Sequence, residues 1–129
     1  MNGLTRGFFL GLVSAGLILM LPNSLQVPIV GVALGVAGGV YVGFALTGAD
    51  SGHRRIQWIA AISFLAIGAI GISISAWLLV VGWLLHAAYD VWHHAGRRGD
   101  WVPRDYPMLC LSYDVVLAAV AAYLALGLG

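Results

Sequence analysis

Four apolar stretches, each separated from the next by a short polar interval, dominate this chain. A helix needs roughly 20 apolar residues to cross the hydrocarbon core of a bilayer. Leu4 to Leu21 qualifies before Pro22, Asn23 and Ser24 interrupt it, and Val27 to Thr47 follows, ended by "GADSGHRR". Ile56 to His94 is too long for one crossing and must turn back, with the hinge expected at "GISIS", residues 71 to 75. Pro103 and Pro107 close the "RRGDWVPRDYP" loop, after which Met108 to Leu126 makes the last crossing. The expected fold is all-α: one polytopic membrane domain over residues 1–129, a bundle of five transmembrane helices, or four if the first is a cleaved signal. No convincing small-x-small cleavage site follows the first run, which argues that it is retained. A sheet barrel is disfavoured, because these runs lack strict alternation and are about twice the length of a barrel strand.

Composition agrees and excludes other classes. Hydrophobic residues make up 61% and charged ones 9%, with a mean hydropathy of +0.96, well outside the range of ordinary globular domains. A net charge of only +1 leaves no basic field to hold nucleic acid. Cys110 is the sole cysteine, so no internal disulfide can form. Arg6 lies at the start of helix one, Arg54 and Arg55 in the second loop, and Arg97, Arg98 and Arg104 in the fourth, while the first and third loops have none. The positive-inside rule then sets the N-terminus in the cytoplasm and the C-terminus outside, in a multi-pass cell-membrane protein. Trp58, Trp92 and Trp101 are expected at the interfaces.

Glycine predicts packing. Gly3, Gly7, Gly11 and Ala15 recur every four residues in helix one, and Gly31, Gly35, Gly39 and Gly43 do so in helix two. Association in lipid depends on close backbone approach, which small residues at that spacing permit. Helices one and two are expected to pack through these seams, against each other or between copies in a homo-oligomer. The run "GVAGGVYVG" is no phosphate loop, since it sits inside an apolar span.

The costly residues sit in "GWLLHAAYDVWHHAGRRGDW", residues 82 to 101. At about 100° per residue, His86, Asp90 and His93 fall within roughly 60° of one another on a helix, with His94 further round. His86 lies on the order of 12 Å from the arginine-bearing end of helix four, Asp90 one turn shallower, and Asp114 on helix five reaches a similar depth. An aspartate near mid-helix costs about 2.5 to 3.5 kcal/mol on insertion scales, so two at one level imply groups that offset it. Imidazole and carboxylate together are a ligand set for zinc, iron or manganese. The candidate metal ligands are His86, Asp90, His93 and Asp114, with His94 in reserve, and Asp114 or Asp90 doubles as catalytic base. His53 and Asp50 are placed to cover the site.

Each choice has a plainer competitor. His86 and Asp90 can be a hydrogen-bonded pair holding helix four to helix five. Tyr89 or Tyr106 can satisfy Asp114, and Cys110 reads best as a buried inert thiol. The sequence has no H-E-x-x-H, no G-x-S-x-G and no glutamate at all, and four histidines are too few for the eight-histidine box of membrane desaturases. The segments "HAAYDVWHH", "VPRDYP" and "CLSYD" together resemble a pattern in small uncharacterised integral membrane proteins of similar size. That resemblance covers helices four and five and implies a shared site, with no named reaction.

The leading expectation is a divalent-metal enzyme, a hydrolase or oxidoreductase, acting on a lipid-soluble substrate in a pocket between helices four and five. Arg97, Arg98 or Arg104 would receive an anionic head group. One alternative is a small oligomeric proton- or cation-coupled transporter or channel, against which stands an outer half devoid of acids, histidines and arginines. Another is a structural assembly subunit.

Overall fold

The computed structural model describes residues 2–97 and 101–128, with backbone alone at Arg97. Five α-helices organise the described residues: α1, Gly3–Leu19; α2, Asn23–Gly48; α3, Ser51–Ser73; α4, Ala76–Trp92; and α5, Tyr106–Ala125. The break between α3 and α4 falls at Ile74 and Ser75, inside the expected hinge, and the Ser75 side chain accepts from the Trp77 N–H. Three helices, α2, α3 and α5, are long and apolar enough to cross a membrane, and α1 is a shorter apolar helix of 17 residues. Large apolar side chains lie on the outside, among them Phe9, Val13 and Leu17 of α1 and Ile59, Ile62 and Leu65 of α3. The outer face of a bundle in lipid has that character, and this is a membrane protein.

The second loop is much shorter than expected. Most of "GADSGHRR" is helical, because Asp50 caps α3 by accepting from the His53 N–H at 2.9 Å, so Arg54 and Arg55 lie in the first turns of α3. At the same end of the bundle, α4 passes into a π-type turn, His93–Arg97. Gly96 breaks that turn with a φ of 91°, in the left-handed region that favours glycine.

Neighbour relations depart from the expected pairing. α2 packs on α3, α3 on α4, α4 on α5, and α5 on α1, whereas α1 and α2 make little contact although they are consecutive. Glycines decide this. A methyl at Gly3 would lie 2.5 Å from the Asp105 carbonyl oxygen, one at Gly7 would overlap the Leu109 carbonyl, and one at Gly11 would lie 2.9 Å from Val116 Cβ. The first seam therefore receives α5, and the Ser112 hydroxyl donates to the Leu4 carbonyl at 2.8 Å across the junction. In the second seam, Gly31 and Gly35 receive Ile72 and Leu65 of α3, while Gly39 and Gly43 meet nothing within contact distance among the described residues. The same rule that predicted close approach through glycine operates, but with partners other than each other.

The arginine-bearing segments gather at one end. Arg6 pairs with Asp105 at 3.8 Å, and the rings of His53 and Trp101 are centred 6.1 Å apart. The apolar core fills the middle with Val30, Leu34, Phe64, Leu79, Trp83 and Leu117. Between that core and the arginine-bearing end lie the buried Gln57, His86, Asp90, His93 and Asp114, while the buried Gln26 lies at the opposite end, donating to the Leu21 carbonyl at 2.9 Å.

Candidate metal centre

His86 and Asp90 stand at i and i+4 on α4, the spacing that stacks two side chains on one helix face. That face meets α5 where Asp114 projects, and all three side chains are at most 1% exposed. His86 Nδ1 lies 2.7 Å from Asp114 Oδ2 and 3.6 Å from Asp90 Oδ2. One donor atom from each of the three residues can be chosen so that all lie within 4.8 Å of one another. Around a single ion at about 2.1 Å from each ligand, donors sit up to about 4 Å apart, so modest side-chain adjustment closes the set.

The surroundings hold these groups in place. The Tyr41 hydroxyl of α2 donates to Asp90 Oδ1 at 2.6 Å, linking a third helix to the cluster. Phe64 packs edge-on against the His86 ring at 4.7 Å, and Trp83, Tyr41 and Tyr89 each lie 6.4 Å from it. Tyr89 itself donates to Gln57 Oε1 of α3. Among the described residues, His86 Nε2 and Asp90 Oδ2 are buried without a hydrogen-bond partner. Leaving a buried polar atom unmet costs about 1–3 kcal/mol, so each calls for an explanation, of which a bound ion, a water or a chemical role are examples.

His93 does not join the ligand set. It shares the face with His86 and Asp90, as its angular position requires, but seven residues of rise carry it about 10 Å along the axis from His86. Its ring instead stacks on Tyr41 with centroids 4.0 Å apart, and its Nδ1 lies 3.0 Å from the Tyr89 carbonyl oxygen. His93 thus presses on the phenol that holds Asp90. His94 is exposed. Asp50 and His53 pair with each other at 2.7 Å on the surface of α3, and the cover over His93 is Trp101, with ring centroids 6.1 Å apart. Trp58 is exposed. Outside the spans, the His53 backbone N–H and ring hold the Asp50 carboxyl below the usual carboxylate range.

Arg104 is exposed in the loop before α5, and the expected roles of Arg98 and of the Arg97 side chain lie outside the described residues. Neither Tyr89 nor Tyr106 is the hydrogen-bond partner of Asp114; His86 is. Tyr41 and Gln57 escaped the sequence reading. A signal for Tyr41 did exist: a lone phenol deep inside the glycine-rich second span needs an acceptor when buried.

The opening also lies elsewhere than expected. α4 and α5 pack closely, and the cavity lies beyond α5, where α1 and α2 part. It measures about 350 Å³ and is lined by Leu10 of α1, Ala33, Val36, Ala37 and Val40 of α2, and Tyr106, Leu109, Cys110, Tyr113 and Asp114 of α5. Asp114 is the one cluster residue that lines it.

These features define a helical membrane bundle with a buried histidine–aspartate–aspartate group reached by one apolar groove. The chain belongs to a family of unknown function, DUF6010, whose model matches residues 3–127. No curated protein and no solved structure matches it.

Proposed function

We propose that the protein is a membrane metalloenzyme, a hydrolase or oxidoreductase, acting on a lipid-soluble substrate. The observation that carries the reading is the convergence of His86, Asp90 and Asp114 from two helices at one depth, fully buried, with one oxygen of Asp90 unmet. A divalent cation, two carboxylates and a neutral imidazole sum to no net charge. Neutrality matters here because a buried uncompensated charge is among the most destabilising features a protein interior can hold.

The donor set suits zinc, iron or manganese and leaves coordination positions for water or substrate. Such an ion would supply a nucleophilic hydroxide or activate oxygen. His86 and Asp90 act as ligands, and Asp114, the member nearest the groove, acts as ligand or general base. Tyr41 orients Asp90 through its hydrogen bond, and His93 keeps Tyr41 in place by stacking. In this reading the chain is a multi-pass cell-membrane protein with the N-terminus in the cytoplasm and the C-terminus outside, and Arg104 faces anionic lipid head groups. Its partners are membrane lipids. Association between copies would use the open Gly39 and Gly43 face of α2.

A second reading has an observation of its own: the Tyr41–Asp90 and His86–Asp114 bonds tie α2, α4 and α5 together as an internal clamp. Metal analysis separates the two. Protein purified without chelator should carry stoichiometric zinc, iron or manganese, and His86→Ala should carry none. If wild-type protein supplied with each of the three ions retains none, or if His86→Ala retains as much as wild type, the enzyme reading falls and the clamp remains.

A further inference from the structure

The groove between α1, α2 and α5 opens where no sequence pattern marked an opening, and its composition is lopsided. Leu10, Ala33, Val36, Ala37 and Val40 make an apolar wall, while polar atoms come from α5 alone, with Asp114 at one end and Tyr106 at the other. Along α5 those two residues are eight apart, about 12 Å, so the groove runs lengthwise in the bundle. It is flanked by α2 and α5, both long and apolar enough to cross a membrane, and by the shorter apolar α1, so in a bilayer hydrocarbon would lie against it.

We infer that this groove takes a single-chain lipid, one hydrocarbon chain with one small polar function, entering sideways from the bilayer through the gap between α1 and α2 and delivering the polar function to Asp114. This inference rests on the metalloenzyme reading for the chemistry at Asp114, but not for the binding. Three features select the occupant. The volume, about 350 Å³, lies at the low end of the roughly 300–1,000 Å³ found for small-molecule sites, which leaves no room for the two chains and head group of a phospholipid. Ala33 and Ala37, one turn apart on α2, form a slot where larger side chains would fill the space. Finally, α5 sets Tyr106 and Asp114 along an otherwise apolar wall, which fits an occupant with one hydrogen-bonding group on one hydrocarbon chain. A second copy of this chain is a poor occupant, because the slot is recessed between helices and the open glycines of α2, Gly39 and Gly43, do not line it.

The test uses full-length protein in nanodiscs with a trace of long-chain fatty alcohol bearing a mid-chain diazirine, followed by irradiation and peptide mapping. The expected cross-links fall on residues 33–40 and 106–114, and excess unlabelled fatty alcohol competes them away. Filling the slot with Ala37→Phe should reduce them about tenfold, a loss of about 1.4 kcal/mol in binding. Ala33→Leu, a smaller change, serves if the first variant fails to fold. A diazirine phospholipid should instead mark the outer faces of α1 and α3. Equal marking of those outer faces by the alcohol, cross-links between two copies, or indifference to both slot variants would overturn the inference. Metal content is read on the same samples. Metal without groove labelling sinks the lipid site and leaves the metal centre, whereas groove labelling without metal does the reverse.

Discussion

His86 on α4 and Asp114 on α5 meet at 2.7 Å, each side chain 1% exposed. A cation bound there would displace the proton the two groups share, so metal uptake should release protons and weaken as pH falls. Isothermal titration in two buffers of different ionisation enthalpy measures that release. Uptake with no proton release would mean that the ion sits elsewhere.

Asp114→Asn keeps the shape of the side chain but removes its charge. Metal content should drop to background while the helices persist, since the amide can still bond His86. In metal-free protein the interhelical bond is expected to contribute about 1 kcal/mol, in the range measured for such bonds in membranes. A His86→Ala and Asp114→Ala double-mutant cycle in metal-free protein, followed by unfolding in mixed micelles, gives that coupling. A coupling near zero would remove the clamp reading.

Tyr41→Phe deletes the hydroxyl that donates to Asp90 Oδ1 at 2.6 Å and leaves the ring under His93. Because Tyr41 orients a ligand without being one, metal stoichiometry should survive while affinity falls about 10- to 100-fold. Competition with a chelator of known strength reads the change. Loss of stoichiometry itself would make the phenol a ligand.

Gly7→Ala and Gly43→Ala should separate the two glycine seams. The first drives a methyl into the Leu109 carbonyl of α5 and should cost about 1–3 kcal/mol, the usual penalty for overpacking. The second meets open space and should leave the thermal midpoint of the monomer unchanged. Should Gly43→Ala shift the oligomeric state in cross-linking, the open face of α2 is an interface between copies.

Asp50 predicts a pH effect at the start of α3. Its carboxyl titrates below the usual carboxylate range because it accepts from the His53 N–H and pairs with the His53 ring. A folded-state value below the unfolded one means that its stabilisation is complete above the ordinary carboxylate value, near 4, and fades as pH falls through the depressed one. The thermal midpoints of wild type and Asp50→Asn should therefore converge as pH drops through that window. A gap that stays constant would assign the cap no charge component.

Much of this architecture is legible in the linear chain. Hydropathy and its interruptions locate the helices, the hinge within residues 71 to 75 divides the long third run, and the i,i+4 spacing of His86 and Asp90 puts them on one face. The depth of Asp114 follows from counting residues along α5. These are local properties, set by hydrogen bonding within a segment and by transfer of its side chains to hydrocarbon, so the order of residues determines them. Which helices become neighbours is a different matter. In lipid every apolar face is acceptable to every other, and the choice rests on how closely particular backbones approach. Hence α1 turned its glycines to α5 and left a gap beside α2, Tyr41 reached Asp90 across 49 positions of sequence, and the ring of His93, on the same face as His86 and Asp90, stacked on Tyr41. The candidate ligands were written in the chain; their grouping and the groove that leads to them were decided by tertiary packing, because both depend on distances between segments that no single helix contains.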